Sequence, residues 1–518
     1  MMISTRLRVR CERFLLRDPG IQVTSRALGG SVLGTLLLLA SSSCALSQGS
    51  AADVSVIREV LRKEPMDQLH FGVYAIDLSS GQTLFSHNAH RKFIPASNQK
   101  ILVSAAAISL FGPEYRLETS VGILGETFDS FVDGDIVVVG SGDPTFSDRY
   151  WTHGSQAVRA IADSLHARGI RHVGGSLVVD VAAWDSATVG PTWEVEDLRY
   201  GYASTGGAFA IDEGEFELIV SAGSTTSEPA GVTWSPIGTS DFIRSELKTA
   251  PEGTDTSVRA DYLPESRVVV LRGVVEAGTA DTLSIAMRDP VRQSVAALAR
   301  EIQGAGIEIE GGWRVRWPSE EVAQESCTRE DRRACSGVEQ LFSMWSPPMS
   351  DIVAGILKPS QNWMTEQVVR VLGQSFGGRG SWGEGLSVVE TFLAEEVGVQ
   401  PSDLYSRDGS GLSFYNLVTP RAIVSVLAEM HNSESASVFR GAMPAPGEEG
   451  STLENRLEGL EGHLRAKTGT ISNVNSLSGY LVRESGEEVA FSILSNGSGM
   501  PASRVRSAID EIVRALAR

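Results

Sequence analysis

Apolar residues recur at helical spacing in "VSVIREVLRK" (54–63), whereas "HFGVYAIDLSSGQTLFSHN" (70–88) alternates around a Ser-Ser-Gly turn and predicts a β-hairpin. An Ala-rich run follows, "FIPASNQKILVSAAAISLFG" (93–112), whose helix ends at the Gly112-Pro113 stop signal. From about Leu117 the pattern becomes rich in strands and turns, as in "GDIVVVGSGDPTF" (134–146), "GGSLVVDVAAW" (174–184), "GEFELIVSAG" (214–223) and "SRVVVLRGVVEAG" (266–278). Helical spacing returns within this block only at "SQAVRAIADSLHARG" (155–169) and "PVRQSVAALAREIQGAG" (290–306).

From about Ser343 helices dominate again, and the chain closes with a second hairpin, "SLSGYLVRESGEEVAFSILSNG" (476–497), and a final helix. The two hairpins at opposite ends predict one antiparallel sheet covered by the terminal helices, with the middle block as an insertion. The final helix carries Val505, Ala508, Ile509, Ile512, Val513 and Leu516 on one face. Asp510 and Glu511 dilute its basic side, so a helix packed on the sheet is expected rather than a membrane-surface anchor. No fixed-period repeat and no low-complexity tract interrupts the pattern.

With 518 residues, 42% of them apolar, the chain is long enough for two or three domains. A net charge of −19 gives no basic footprint, which sets nucleic acid aside as a partner. Residues 1–47 read as a signal peptide: Arg6, Arg8, Arg10, Arg13, Arg17 and Arg26 precede the apolar run "VLGTLLLLA" (32–40), with small residues at Ala45 and Ser47. That run is short for a bilayer span, so no firm membrane anchor is expected. A lipidated Cys44 is the alternative end for this leader, although Ser41 stands where such signals place leucine. Cys327 and Cys335 remain outside the leader, either as a disulfide closing "CTREDRRAC" or as two unpaired thiols. Neither has metal-ligand spacing, and no metal is expected.

Chemistry is carried by three short motifs. Ser97 and Lys100 stand at i and i+3 on one helix, a spacing that brings an amine to a hydroxyl, and a serine needs such a base to act as a nucleophile. Alone the pair is no better than a capping serine with a surface lysine, and "SELK" (245–248) repeats the pattern. Ser97 differs in heading an apolar helix. The second motif is Ser360-Gln361-Asn362, where a hydroxyl can relay a proton and an amide can bind a peptide. "SHN" (86–88) competes with it. The third, Lys467-Thr468-Gly469-Thr470, is the sharpest because lysine is scarce in this chain. Its lysine would hold Lys100 neutral, its glycine admits a substrate along a strand edge, and its hydroxyls can bind a carboxylate. "GQSFG" (373–377) matches a nucleophile elbow but follows a helix instead of a strand.

The order Ser-x-x-Lys, Ser-x-Asn, Lys-Thr-Gly is that of the penicillin-interacting serine enzymes, with Gln361 where aspartate is usual. Together with "IPASNQKILVSAAAISLFGPEYRLET", "GDIVVVGSGDPTF", "RDGSGLSFYNLVTP" (407–420) and "LRAKTGTISNVNSLSGYLV", it resembles the low-molecular-mass class C penicillin-binding proteins, the D-alanyl-D-alanine carboxypeptidase/endopeptidase family. The resemblance implies a multidomain α+β fold, in which a serine β-lactamase/transpeptidase-like domain is interrupted by two nested, mainly-β domains. The expected partition is a catalytic domain of 51–118 plus 335–518, a domain II of 119–141 plus 213–334, and a domain III of 142–212 nested within II. It also implies Ser97 as nucleophile, Lys100 as base, Ser360 as proton relay, Asn362 on the peptide amide, Lys467 for electrostatics, and Thr468, Gly469 and Thr470 at the substrate carboxylate. No cofactor is implied; the expected partners are peptidoglycan stem peptides and cross-links, with β-lactams as covalent inhibitors, in a periplasmic or extracytoplasmic location. The rival readings are a β-lactamase-like hydrolase, for which no E-x-x-L-N or Y-A-N stretch is found, and a non-catalytic cell-wall binding protein, which intact motifs argue against.

Overall fold

Alternation in "HFGVYAID" gives the strand His70–Asp77, an interior strand of a five-stranded antiparallel sheet. The computed structural model describes residues 51–152, 155–236, 242–263, 268–318 and 337–518. The leader and the Cys327–Cys335 segment lie outside them. The sheet runs Leu464–Ile471, Val474–Val482, Glu488–Asn496, His70–Asp77, Thr83–His87. His70 pairs with Asn496 and Asp77 with Val489, so the two ends of the chain meet in one sheet as the pattern predicts.

Both faces of this sheet are covered. On one side the helices Ala51–Arg62 and Ala502–Ala517 seal a core of Ile57, Phe71, Val73, Leu477, Phe491 and Ile493. All six apolar positions read on the final helix are buried there, Val505, Ile509, Ile512 and Val513 completely. At roughly 1.5–3 kcal/mol for each large apolar side chain, this face alone anchors the helix. On the other side lie the helices Gln99–Phe111, Met349–Leu357, Asn362–Leu372, Trp382–Glu395 and Pro420–Asn432, whose core includes Ile101, Ile352, Met364, Val389 and Leu427.

The insertion leaves on the strand Glu118–Phe128 and returns on Glu339–Trp345, and these two pair antiparallel. They belong to a seven-stranded sheet with Phe131–Val139, His172–Val173, Leu177–Asp180, Glu308–Ile309 and Trp313–Arg316. The expected partition differs from this hydrogen bonding. Ile136–Val139 pair in parallel with Leu177–Asp180, so 119–141 and the supposed nested segment 142–212 share one sheet. Parallel neighbours need a crossover, and the helix Ser155–Ala167 supplies it. The segment with a core of its own is 215–287 instead: two sheets built from 215–286 enclose Phe216, Leu218, Val220, Leu271, Val275 and Ile285. The boundary at 335 also shifts, because Glu339–Trp345 is a strand of the insertion's sheet.

Candidate active site

Ser97 sits in a single tight turn, Ala96–Asn98, immediately ahead of the helix Gln99–Phe111. Every residue of that helix from Gln99 to Ile108 is buried, so Lys100 cannot be a surface lysine. The competing matches dissolve: Ser245 and Lys248 are exposed on strands of the insertion, and Ser86 belongs to the outer strand Thr83–His87. "GQSFG" continues directly from a helix, as its sequence context predicts.

Three ties lock the Ser97 turn to the edge strand Leu464–Ile471 and its neighbour Val474–Val482. Asn98 Nδ2 donates to Lys467 O at 2.9 Å, and Ser476 Oγ donates to Pro95 O at 2.7 Å. The third is a close approach. A Cβ on Gly469 would lie 2.2 Å from Ser476 Oγ and 2.9 Å from Ser97 N, which explains why this position carries no side chain. Ala466 N bonds Pro444 O on the strand's outer side, so by the two-residue period the N–H groups of Thr468 and Thr470 point the same way. Thr470 is exposed at this open edge.

Lys100 Nζ is fully buried with three oxygen neighbours: Ser410 O at 2.6 Å, Asn362 Oδ1 at 2.7 Å and Ser97 Oγ at 3.0 Å. A neutral amine has two N–H bonds and one lone pair. The carbonyl and the amide oxygen take the two hydrogens, which leaves the lone pair for the Ser97 hydroxyl. Burial pushes Lys100 down to about 7, against the opposing pull of Glu366 and Asp408. Lys467, also fully buried, is held well below the ordinary lysine range by burial and then by Lys100. Its Nζ donates to Thr468 O at 2.9 Å.

The second motif opens the helix Asn362–Leu372, with Ser360 in a left-handed turn at φ 68°. Asn362 is held at both ends, since its Nδ2 donates to Tyr202 O at 2.8 Å while its Oδ1 faces Lys100. The Gln361 side chain points away: its Oε1 caps Met364 N and its Nε2 donates to Glu213 of the insertion. The exchange of aspartate for glutamine therefore leaves the Lys100 environment untouched.

Sequence reasoning missed several residues here. Thr452 stands between two motifs, with its N–H on Lys358 O at 3.1 Å and its hydroxyl 2.7 Å from Thr468 Oγ1. The "RDGSGLSFYN" loop packs on the nucleophile turn, and its Asp408 accepts from Gly411 N, Ser413 N, Asn416 Nδ2 and Trp193 Nε1. Beneath it Glu366, four residues after Asn362 and so on the same helical face, was the one that spacing could have found.

Known proteins are similar to this chain over most of its length. The profile of the D-Ala-D-Ala carboxypeptidase 3 (S13) family matches residues 54–518. A D-alanyl-D-alanine carboxypeptidase of Actinomadura sp. (strain R39) is 30% identical over 493 residues, covering 90% of this chain and 86% of that protein. The carboxypeptidase DacB of Haemophilus influenzae is 24% identical over 474 residues, covering 90% and 92%. The crystal structure of penicillin-binding protein 4 from H. influenzae superposes with a TM-score of 0.74 at 22% identity, over 89% of this chain and 98% of that one. The chain belongs to the D-Ala-D-Ala carboxypeptidase 3 (S13) family of peptidases.

Proposed function

We propose that this peptidase is a serine-type D-alanyl-D-alanine carboxypeptidase, acting also as an endopeptidase on peptidoglycan cross-links, in the periplasm or an equivalent extracytoplasmic space. The observation that carries the reading is the Lys100 geometry, in which two acceptors and a hydroxyl match the two hydrogens and the lone pair of a neutral amine. Relatives named as carboxypeptidases and a related penicillin-binding protein solved with a β-lactam support the substrate class. The basic-then-apolar stretch of residues 1–47 supports export.

The Ser97 hydroxyl gives its proton to Lys100 Nζ, and Oγ attacks the carbonyl carbon of the penultimate D-alanine. The N–H groups of Ser97 and Thr470 receive the oxyanion, with the helix N-terminus behind Ser97 adding to the field. Thr468 and Thr470 bind the terminal carboxylate, and Asn362 the peptide amide. The proton on Lys100 passes through the Ser360 hydroxyl to the departing amine as the C–N bond breaks. Water then cleaves the ester and returns the hydroxyl to Ser97. A β-lactam enters by the same attack, its strained amide opening to a stable ester.

Covalent labelling by a fluorescent penicillin, lost in Ser97→Ala, tests the nucleophile; a labelled Ser97→Ala protein sinks it. Release of D-alanine from a pentapeptide ending in D-Ala-D-Ala tests the substrate, and fast penicillin turnover without that release points instead to a β-lactamase. Cleavage of cross-linked muropeptides decides the endopeptidase activity.

A further inference from the structure

The "RDGSGLSFYN" loop has no part in the scheme above, yet its Ser410 carbonyl is one of the two acceptors that orient Lys100. That carbonyl belongs to a turn whose N–H groups converge on one buried carboxylate. Glu366 accepts from Ser410 N at 2.7 Å, from Gly409 N at 3.0 Å and from Trp382 Nε1 at 2.8 Å, and it is 1% exposed. Three N–H donors suit an ionised carboxylate, while burial and then Asp408 raise Glu366 to about 7, so its charge is complete only above that pH. Asp408 clamps the other flank through Gly411 N and Ser413 N.

We propose that Glu366 is a positioning residue for the general base: by holding the Gly409–Ser410 backbone it fixes the Ser410 carbonyl against Lys100, and thereby aims the amine's lone pair at Ser97. The inference rests on the assignment of Ser97 and Lys100 as nucleophile and base. Glu366 itself touches no substrate. Without its carboxylate the turn loses the anchors of its Gly409 and Ser410 N–H groups, the carbonyl drifts from Nζ, and the amine can rotate its lone pair away from the hydroxyl. A misplacement of about 1 Å at reacting atoms costs on the order of a hundredfold in rate.

The test is penicillin acylation of the full chain, resolved into the initial binding constant and the acylation rate constant, measured from pH 6 to pH 10. Glu366→Gln keeps the volume but sets amide hydrogens against N–H donors. Its acylation rate constant is expected to fall by at least tenfold with the binding constant unchanged. Its acid limb is expected to move to lower pH, because the titratable groups facing Lys100 are Lys467, Asp408 and Glu366, and the variant removes the Glu366 carboxylate, which favours the ammonium wherever it is ionised. Trp382→Phe keeps an aromatic ring beside Arg370 while removing the indole N–H with part of the bicycle, so a fall of several-fold in the same constant is expected. A folded Glu366→Gln with wild-type acylation and pH profile overturns the proposal. Should that variant not fold, a folded Trp382→Phe with wild-type acylation overturns it equally. Failure of the wild type to acylate at Ser97 instead overturns the nucleophile and base assignment, and this proposal with it.

Discussion

Gly411 is where the loop presses on the nucleophile turn, and replacing it with alanine converts a backbone contact into a measurable displacement. Its φ is +84°, and a Cβ there would lie 1.8 Å from Ala96 O, 2.3 Å from Ala96 C and 3.0 Å from Ser97 N. All three are backbone atoms, so no side chain can swing aside. Restoring even the tightest tolerated separation moves the Ala96 carbonyl and the loop apart by roughly 1.2 Å. Ala96 is already left-handed at φ 48°, and the turn has little freedom to absorb the shift. The left-handed conformation adds roughly 1–2 kcal/mol for alanine. The Ser97 N–H, expected to bind the oxyanion, moves with its turn, and losing one such donor costs about a hundred- to a thousandfold. Gly411→Ala should therefore acylate with penicillin at least a hundred times more slowly, with only a modestly lower melting temperature. Stopped-flow or gel-based acylation with a fluorescent penicillin, run beside calorimetry, measures both. Wild-type acylation in a folded Gly411→Ala protein would refute the argument that this contact positions Ser97.

Lys100 must be neutral to accept the proton, and its titration near 7 places the change within reach: above that pH the lone pair is free, and below it acylation should fall about tenfold per pH unit. A rate that stays flat from pH 8 to pH 5 would contradict the lysine base. Asn98→Ala removes the bond to Lys467 O and should lower unfolding stability by about 1–3 kcal/mol, read from urea denaturation. Thr452→Val deletes the hydroxyl beside Thr468; KM for a D-Ala-D-Ala peptide should rise several-fold with kcat nearly unchanged, and Thr452→Ser should restore it. Trp193→Phe takes one donor from the buried Asp408 and should cost about 1 kcal/mol or more in the same denaturation assay.

Much of this architecture was readable because period and position carried it. The alternation at 70–88 and 476–497 marked both hairpins, and their distance in sequence forced an insertion between them. Strand partners in the middle block were not readable, since "GGSLVVDVAAW" shows that a strand exists without saying that it lies parallel to 136–139. Glu366 escaped for a related reason. In "NWMTEQVVRVLG" the residues Thr365, Glu366, Gln367 and Arg370 look like a solvent face, yet all four are buried. The neighbouring loops, supplied largely by the insertion, pack on that side. Arg370 lies between Trp184 and Trp382 with Asp185 on its guanidinium, and Gln367 Nε2 donates to Gly207 O. A polar stripe on a helix is solvated only when nothing of complementary polarity comes down on it, and here that is decided by other segments of the chain, Trp382 and Gly409–Ser410 for Glu366, Asp185 and Gly207 for its neighbours.

The antiparallel pair Glu118–Phe128 and Glu339–Trp345 makes the whole insertion, in topological terms, the tip of one very long hairpin. Evolution can lengthen or exchange such a tip without rewiring the sheet of the catalytic half, because departure and return are already side by side. What restrains it here is a small debt of hydrogen bonds. Tyr202 O holds Asn362, Trp193 serves Asp408, and Glu213 ties Gln361. A shortened descendant that dropped the insert would need new partners at those points, and for Arg370 and Gln367, before its serine could work again.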